Sequence, residues 1–150
     1  MEIEFTRIEP EERGASPRGA IQPRILVVDD DEMLRKLVQR TGLRYGWNVT
    51  LASDGLEAAR LVMDTRWDVL LTDILMPGMD GVELIRLVRR RGPNTVIVAT
   101  TGGGNFEVDY LHMAQLLGAR LVLRKPFGLQ ELIDVMRVAI ATSINTAATG

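Results

Sequence analysis

A chain of 150 residues, 46% hydrophobic and 25% charged, is sized and composed for one globular domain with a substantial core. Its formal net charge of −2 offers no electrostatic ground for nucleic-acid binding. The lack of cysteine excludes a disulfide framework and a thiolate metal site. With no signal-like stretch and no run of membrane-spanning length, the chain reads as soluble and cytoplasmic.

Residues 1–23 mix Glu2, Glu4, Glu9, Glu11 and Glu12 with Arg7, Arg13 and Arg18, broken by Pro10, Pro17 and Pro23. Such a segment buries little apolar surface and reads as a flexible N-terminal tail. The alternative is a docking arm in which Ile3, Phe5 and Ile8 alternate like a short strand.

From Ile25 onward, short apolar runs alternate with helix-period segments. Ile25–Val28 reads as a strand ending in Asp29-Asp30-Asp31, and Leu34, Leu37, Val38 and Thr41 then mark one face of a helix capped by Asp31. A second strand over Val49–Ala52 leads through Asp54, an N-cap, into a helix over Gly55–Asp64. The third strand, Val69–Thr72, ends at Asp73, and Asp80 stands as N-cap of a helix over Gly81–Arg90. Val96–Thr100, a helix over Phe106–Leu117 and Leu121–Leu123 follow. The last helix carries Leu132, Val135, Met136, Ala139 and Ile140 on one face, and residues 143–150 read as a small polar tail. Short runs of Val, Leu and Ile without polar alternation suit parallel strands buried on both faces. The pattern predicts an α/β fold: a (βα)5 doubly wound, five-stranded parallel sheet.

Ligands of open α/β sheets bind at the carboxyl ends of the strands. Collected there are Asp29, Asp30 and Asp31, then Asp73, then Thr100 and Thr101, then Lys125 beside Pro126 and Phe127. Carboxylates within about 4 Å of each other repel by roughly 4 kcal/mol per pair at an effective dielectric near 20, unless one protonates or a cation intervenes. Oxygen donors without Cys or His favour a hard cation, Mg²⁺ before Ca²⁺. Asp31 suits a helix cap, whereas Asp29 and Asp30 are brought by the topology to Asp73. Lys125 would neutralise charge developing on a transferred phosphoryl group, and a cis Lys125-Pro126 bond would aim it inward. One of Thr100 and Thr101 points into the site and the other away.

Over residues 24–142 the chain resembles the CheY-like receiver domain of two-component response regulators, of the stand-alone type. The resemblance rests on Ile25-Leu26-Val27-Val28-Asp29-Asp30, on Asp73 through Gly81, on Thr101-Gly102-Gly103-Gly104, on Leu117-Gly118-Ala119 and on Lys125-Pro126-Phe127. It implies that Asp73 accepts a phosphoryl group from a histidine kinase or a histidine phosphotransfer protein. It also implies Mg²⁺ held by Asp30, Asp73 and the Leu75 carbonyl, with Asp29 holding a metal-bound water, and Lys125 on the phosphoryl oxygens. Thr101 is taken as the hydroxyl, since it directly precedes the three glycines as a serine does in one receiver subfamily. Partner binding or phosphate relay is the implied output, with no DNA-binding domain, no membrane partner and no catalysis beyond the protein's own phosphorylation and dephosphorylation.

The chain departs from the family pattern at Val122, where an aromatic side chain usually rotates with the threonine. Leu75 and Gly103, which occupy positions that tune acyl-phosphate lifetime, cannot orient a hydrolytic water, so slow self-dephosphorylation is expected. Two alternatives accompany this reading: a Mg²⁺-dependent phosphatase with an aspartyl nucleophile, and a pseudo-receiver that acts without phosphorylation. The first usually carries a second Asp where Leu75 stands, and the second would lack acidic or lysine residues that are present here. His112 and the two tryptophans, Trp47 and Trp67, read as surface or packing residues.

Overall fold

Buried parallel strands organise the molecule. The computed structural model describes residues 22–76, 79–102 and 107–149. Its elements, in chain order, are β1 (Arg24–Val28), α1 (Glu32–Tyr45), β2 (Asn48–Ala52), α2 (Gly55–Asp64), β3 (Val69–Asp73), α3 (Gly81–Arg91), β4 (Val96–Thr101), α4 (Glu107–Leu117), β5 (Ala119–Arg124) and α5 (Leu129–Thr149). The strands form one parallel sheet in the order β2-β1-β3-β4-β5. The doubly wound (βα)5 fold expected from the alternating pattern is the fold observed.

Side-chain alternation along each strand splits the core into two layers. Ile25, Val27, Val69, Leu71, Val96 and Val98 pack with Val38 of α1 and with Leu132, Met136 and Ala139 of α5. Leu26, Val28, Leu70, Ile97 and Ala99 face the other way, onto α2, α3 and α4. β3 and β4 are buried along their whole length, and for that reason their sequences show no polar alternation.

Each helix start with a cap in the sequence is built as the residues dictate. The Asp31 side chain accepts from the Met33 N–H, that of Asp54 from Glu57 at 2.8 Å and that of Asp80 from Glu83 at 2.9 Å. Glu57 reaches back to the Ser53 N–H at 2.9 Å, so donors at both ends of that first turn are satisfied.

The C-terminal reading needs correction. Residues 143–149 continue α5 instead of forming a tail. Thr142, Ser143 and Thr146 turn their hydroxyls onto the carbonyls of Val138, Ile140 and Thr142, so they do not compete with the helical backbone, and Ala141, Ala147 and Ala148 on either side favour helix. The expected N-terminal tail, apart from residues 22 and 23, lies outside the described residues, as does its alternative docking arm. No helix among the described residues is long and apolar enough to cross a membrane.

Candidate functional site

Strands β1 and β3 are neighbours, and the chain crosses over between them to reach β2. Their carboxyl ends therefore deliver Asp29, Asp30 and Asp73 to one edge of the sheet. A ligand oxygen from each of these carboxylates lies within 4.8 Å of the others. Asp29 and Asp73 are only 1% and 5% exposed, whereas Asp30 is open to solvent. β5 feeds Lys125 into the same cluster, where Nζ donates to Asp29 Oδ2 at 2.7 Å and to Asp73 Oδ2 at 3.1 Å. The Lys125–Pro126 bond is cis.

Backbone donors fix the remaining carboxylate oxygens. Asp29 Oδ1 accepts from the Asp31 N–H at 2.8 Å, and Asp73 Oδ1 from the Leu75 N–H at 3.1 Å. Arg35, one turn into α1, donates from Nη1 to the Asp29 carbonyl at 2.7 Å. Nothing local in the sequence pairs Arg35 with the Asp29 carbonyl, six residues away. Strand ends are tied by Ile74 N–H to the Thr100 carbonyl and by Lys125 N–H to the Thr101 carbonyl, both 3.0 Å. At the start of α3, a Cβ on Gly81 would overlap the Asp73 carbonyl oxygen, so only glycine lets the helix approach the strand end this closely.

Burial sets the electrostatics. It raises the Asp29 carboxyl above the usual aspartate range, against the hydrogen bonds from Lys125 and the Asp31 N–H that lower it. Burial also acts to lower the Lys125 ammonium, but the hydrogen bond to Asp29 and the charges of Asp73 and Asp29 outweigh it and lift the group above its ordinary value. Three carboxylates face one ammonium, and their donors are all oxygen, so the residues present fit a hard metal cation.

These features coincide with what the chain is similar to. The model of the response regulator receiver domain matches residues 25–137. Response regulator MprA of Mycobacterium sp. (strain KMS) is 37% identical over 117 residues, which is 78% of this chain and 50% of that protein. Among solved structures, chemotaxis protein CheY4 of Vibrio cholerae superimposes with a TM-score of 0.71 at 30% identity, covering 79% of this chain and 99% of that one. NtrX from Brucella abortus gives a TM-score of 0.77 at 28% identity over 86% of this chain and 30% of that one. The chain belongs to the response regulator receiver domain family. It spans about half the length of the curated relatives it matches.

Within this receiver, the choice of Thr101 as the site hydroxyl needs correction in its geometry. Asp73 pairs in register with Thr100, and Thr101 pairs with Arg124. Alternation places Asp73 and Thr100 on the face of Leu71 and Val98, toward α1 and α5, and Thr101 on the face of Ala99. The glycines locate the end of the strand, but strand parity decides which threonine faces Asp73, and the count lands one residue too far. Both hydroxyls are buried without a partner among the described residues.

Leu75 stands beside Asp73 with its side chain 41% exposed. Val122 is half-buried against the α2/α3/α4 layer of the receiver core. His112 is exposed, and Trp47 and Trp67 pack against the two core layers as expected. Gly103 and Gly104 lie outside the described residues.

Proposed function

We propose that this receiver takes a phosphoryl group onto Asp73 from a phosphohistidine of a histidine kinase or phosphotransfer protein, in the cytoplasm. The observation that carries the reading is Lys125 bridging Asp29 and Asp73 with Asp30 alongside. An Asp73 oxygen attacks phosphorus in line as the imidazole nitrogen leaves. Carboxylates are weak nucleophiles, so positioning and charge neutralisation must lower the barrier. The Leu75 N–H holds one Asp73 oxygen and Lys125 the other, which orients the carboxylate before the donor arrives. As charge shifts onto the phosphoryl oxygens, the ammonium is already in the site to meet it.

Asp29, Asp30, Asp73 and the Leu75 carbonyl would hold Mg²⁺. When bound, the ion supplies further charge neutralisation for the phosphoryl oxygens. Thr100, with a buried hydroxyl that lacks a partner and lies in register with Asp73, is positioned to donate to a phosphoryl oxygen.

The output is partner binding or onward relay of the phosphoryl group, with no turnover of external substrates. Leu75 offers no polar group to orient water, so the phosphorylated receiver loses its phosphoryl group slowly, over minutes or longer. A half-life of seconds for the purified phosphoprotein would overturn that expectation.

Acetyl phosphate with Mg²⁺, followed by intact mass, tests the proposal. One phosphoryl adduct on the chain, absent in Asp73→Asn, is the expected result. No adduct, or turnover of generic phosphate esters, would overturn it.

A further inference from the structure

The strands begin at the end of the sheet remote from Asp73, and there the described residues gather cations. Arg66 leads into β3, Arg89, Arg90 and Arg91 close α3, and Arg120 stands at the start of β5. Arg66, Arg90 and Arg120 are exposed, and none of them has a hydrogen-bond or ion-pair partner among the described residues. Arg91 is exposed too, with Nη2 donating to the Met63 carbonyl at 3.1 Å. Arg89 donates to carbonyls alone, from Nη1 to Pro93 at 2.8 Å and from Nη2 to Thr95, while its buried Nε has no partner. Burial and the charge of Arg120 hold this guanidinium below its usual value. Of the carboxylates at this end, Asp68 accepts the Arg24 N–H at 2.7 Å and Asp64 is exposed. The surplus of positive charge is not neutralised among the described residues, and a face of this kind is complementary to an acidic chain.

This protein carries such a segment itself. Residues 1–12 hold Glu2, Glu4, Glu9, Glu11 and Glu12 against Arg7 alone, so the net −2 of the whole chain conceals a positive remainder. The acidic stretch precedes Arg24, the first residue of β1, and is therefore tethered at the basic end. From Glu12 to Arg24 the chain reaches at most about 40 Å, whereas β1 and β5 are three strand spacings of about 4.8 Å apart. Tethering presents the segment at an effective concentration on the order of millimolar, ahead of a free anion of like charge.

We propose that residues 2–12 of this chain dock on the basic end of the sheet, with Glu9, Glu11 and Glu12 against Arg66, Arg90, Arg91 and Arg120. Single exposed ion pairs are weak, so several act together, and the contact holds at low salt and loosens as screening sets in. The docked segment covers a face that otherwise stands open to other polyanions. It lies at the opposite end of β3 from Asp73 and does not depend on phosphorylation there.

A nitroxide on Thr6→Cys, the single thiol of that variant, tests the contact in the full chain through line broadening of backbone amides. Asn48 is the control, since it pairs in register with Arg24 on the adjacent strand β2, whereas Arg120 lies three strands away in the other direction. An undirected segment would broaden Asn48 more than Arg120; the docked one should broaden Arg66, Arg90 and Arg120 above Asn48. Replacing Glu9, Glu11 and Glu12 together by glutamine should lower the ratio of docked to free segment about tenfold, the worth of three exposed ion pairs. Salt at about 0.5 M should act likewise. Arg66→Glu with Arg90→Glu should remove the broadening, and adding Glu11→Arg with Glu12→Arg should restore part of it. Both arginines are exposed and unpaired among the described residues, so loss of folding does not account for such an effect. Broadening that follows distance from Arg24 alone would overturn the proposal. So would broadening unchanged by the glutamine substitutions or by salt, or broadening of an isotope-labelled copy by a separate spin-labelled one, which would place the segment on a second molecule.

Discussion

Lys125 sits between two carboxylates, and its titration and that of Asp29 act on stability at opposite ends of the pH scale. Both groups are raised above their ordinary values of 10.5 and 3.8, so the folded state holds each proton more tightly than the unfolded chain does. Each contribution is complete below the ordinary value and is lost as pH rises through the folded one. For Lys125 that loss falls above pH 10.5, and Lys125→Met should remove this step from an alkaline unfolding titration. Without Mg²⁺ the same variant should lose about 1–3 kcal/mol at neutral pH in chemical denaturation, less than a fully buried pair because the lysine is 21% exposed. Thr100→Ala should slow phosphorylation by acetyl phosphate roughly tenfold or more, the worth of a hydrogen bond to a charged oxygen, whereas Thr101→Ala should leave the rate within about twofold. Asp73, Asp30, Asp29 and Lys125 were legible in the sequence because each stands within two residues of the end of an apolar run. The threonine was not, because its face depends on a register that only strand pairing supplies.

At the scale of elements, the close approach of α3 to the end of β3 makes Gly81 part of the site's construction. Gly81→Ala should cost about 1–3 kcal/mol or more in stability, since the added Cβ meets the backbone of Asp73 and Ile74, and should slow acetyl-phosphate labelling as well. Gly102→Ala, whose Cβ would meet nothing within 4 Å among the described residues, should stay within about 0.5 kcal/mol in the same unfolding measurement. The strands were legible because burial on both faces removes polar alternation and leaves unbroken Val, Leu and Ile runs. The far half of α5 was hidden for a complementary reason. Its Ser and Thr residues resemble a polar tail in composition, and only their bonds back to helix carbonyls show that they are compatible with the helix.

Across the whole molecule, a metal ion should act as a staple between β1 and β3. Saturating Mg²⁺ at ten times its Kd should stabilise the fold by about 1.4 kcal/mol, raising the melting temperature by roughly 3 °C, and Asp30→Asn should abolish most of that gain. Because Asp29 protonates above the usual aspartate range, the gain should fade with acidification before an ordinary carboxylate would titrate. The long last helix bears on how motion in this molecule can be followed. With 21 residues it extends about 31 Å, against about 20 Å for the six-residue strand before it. It begins beside the Asp73 end of the sheet and carries its exposed Ile144 some 22 Å along its axis from Leu129, at 1.5 Å per residue. Since the chain has no cysteine, Ile144→Cys would create its single thiol. A dye attached there stands beyond direct quenching by the acyl phosphate, so a change in its emission on phosphorylation would report a displacement transmitted along the helix.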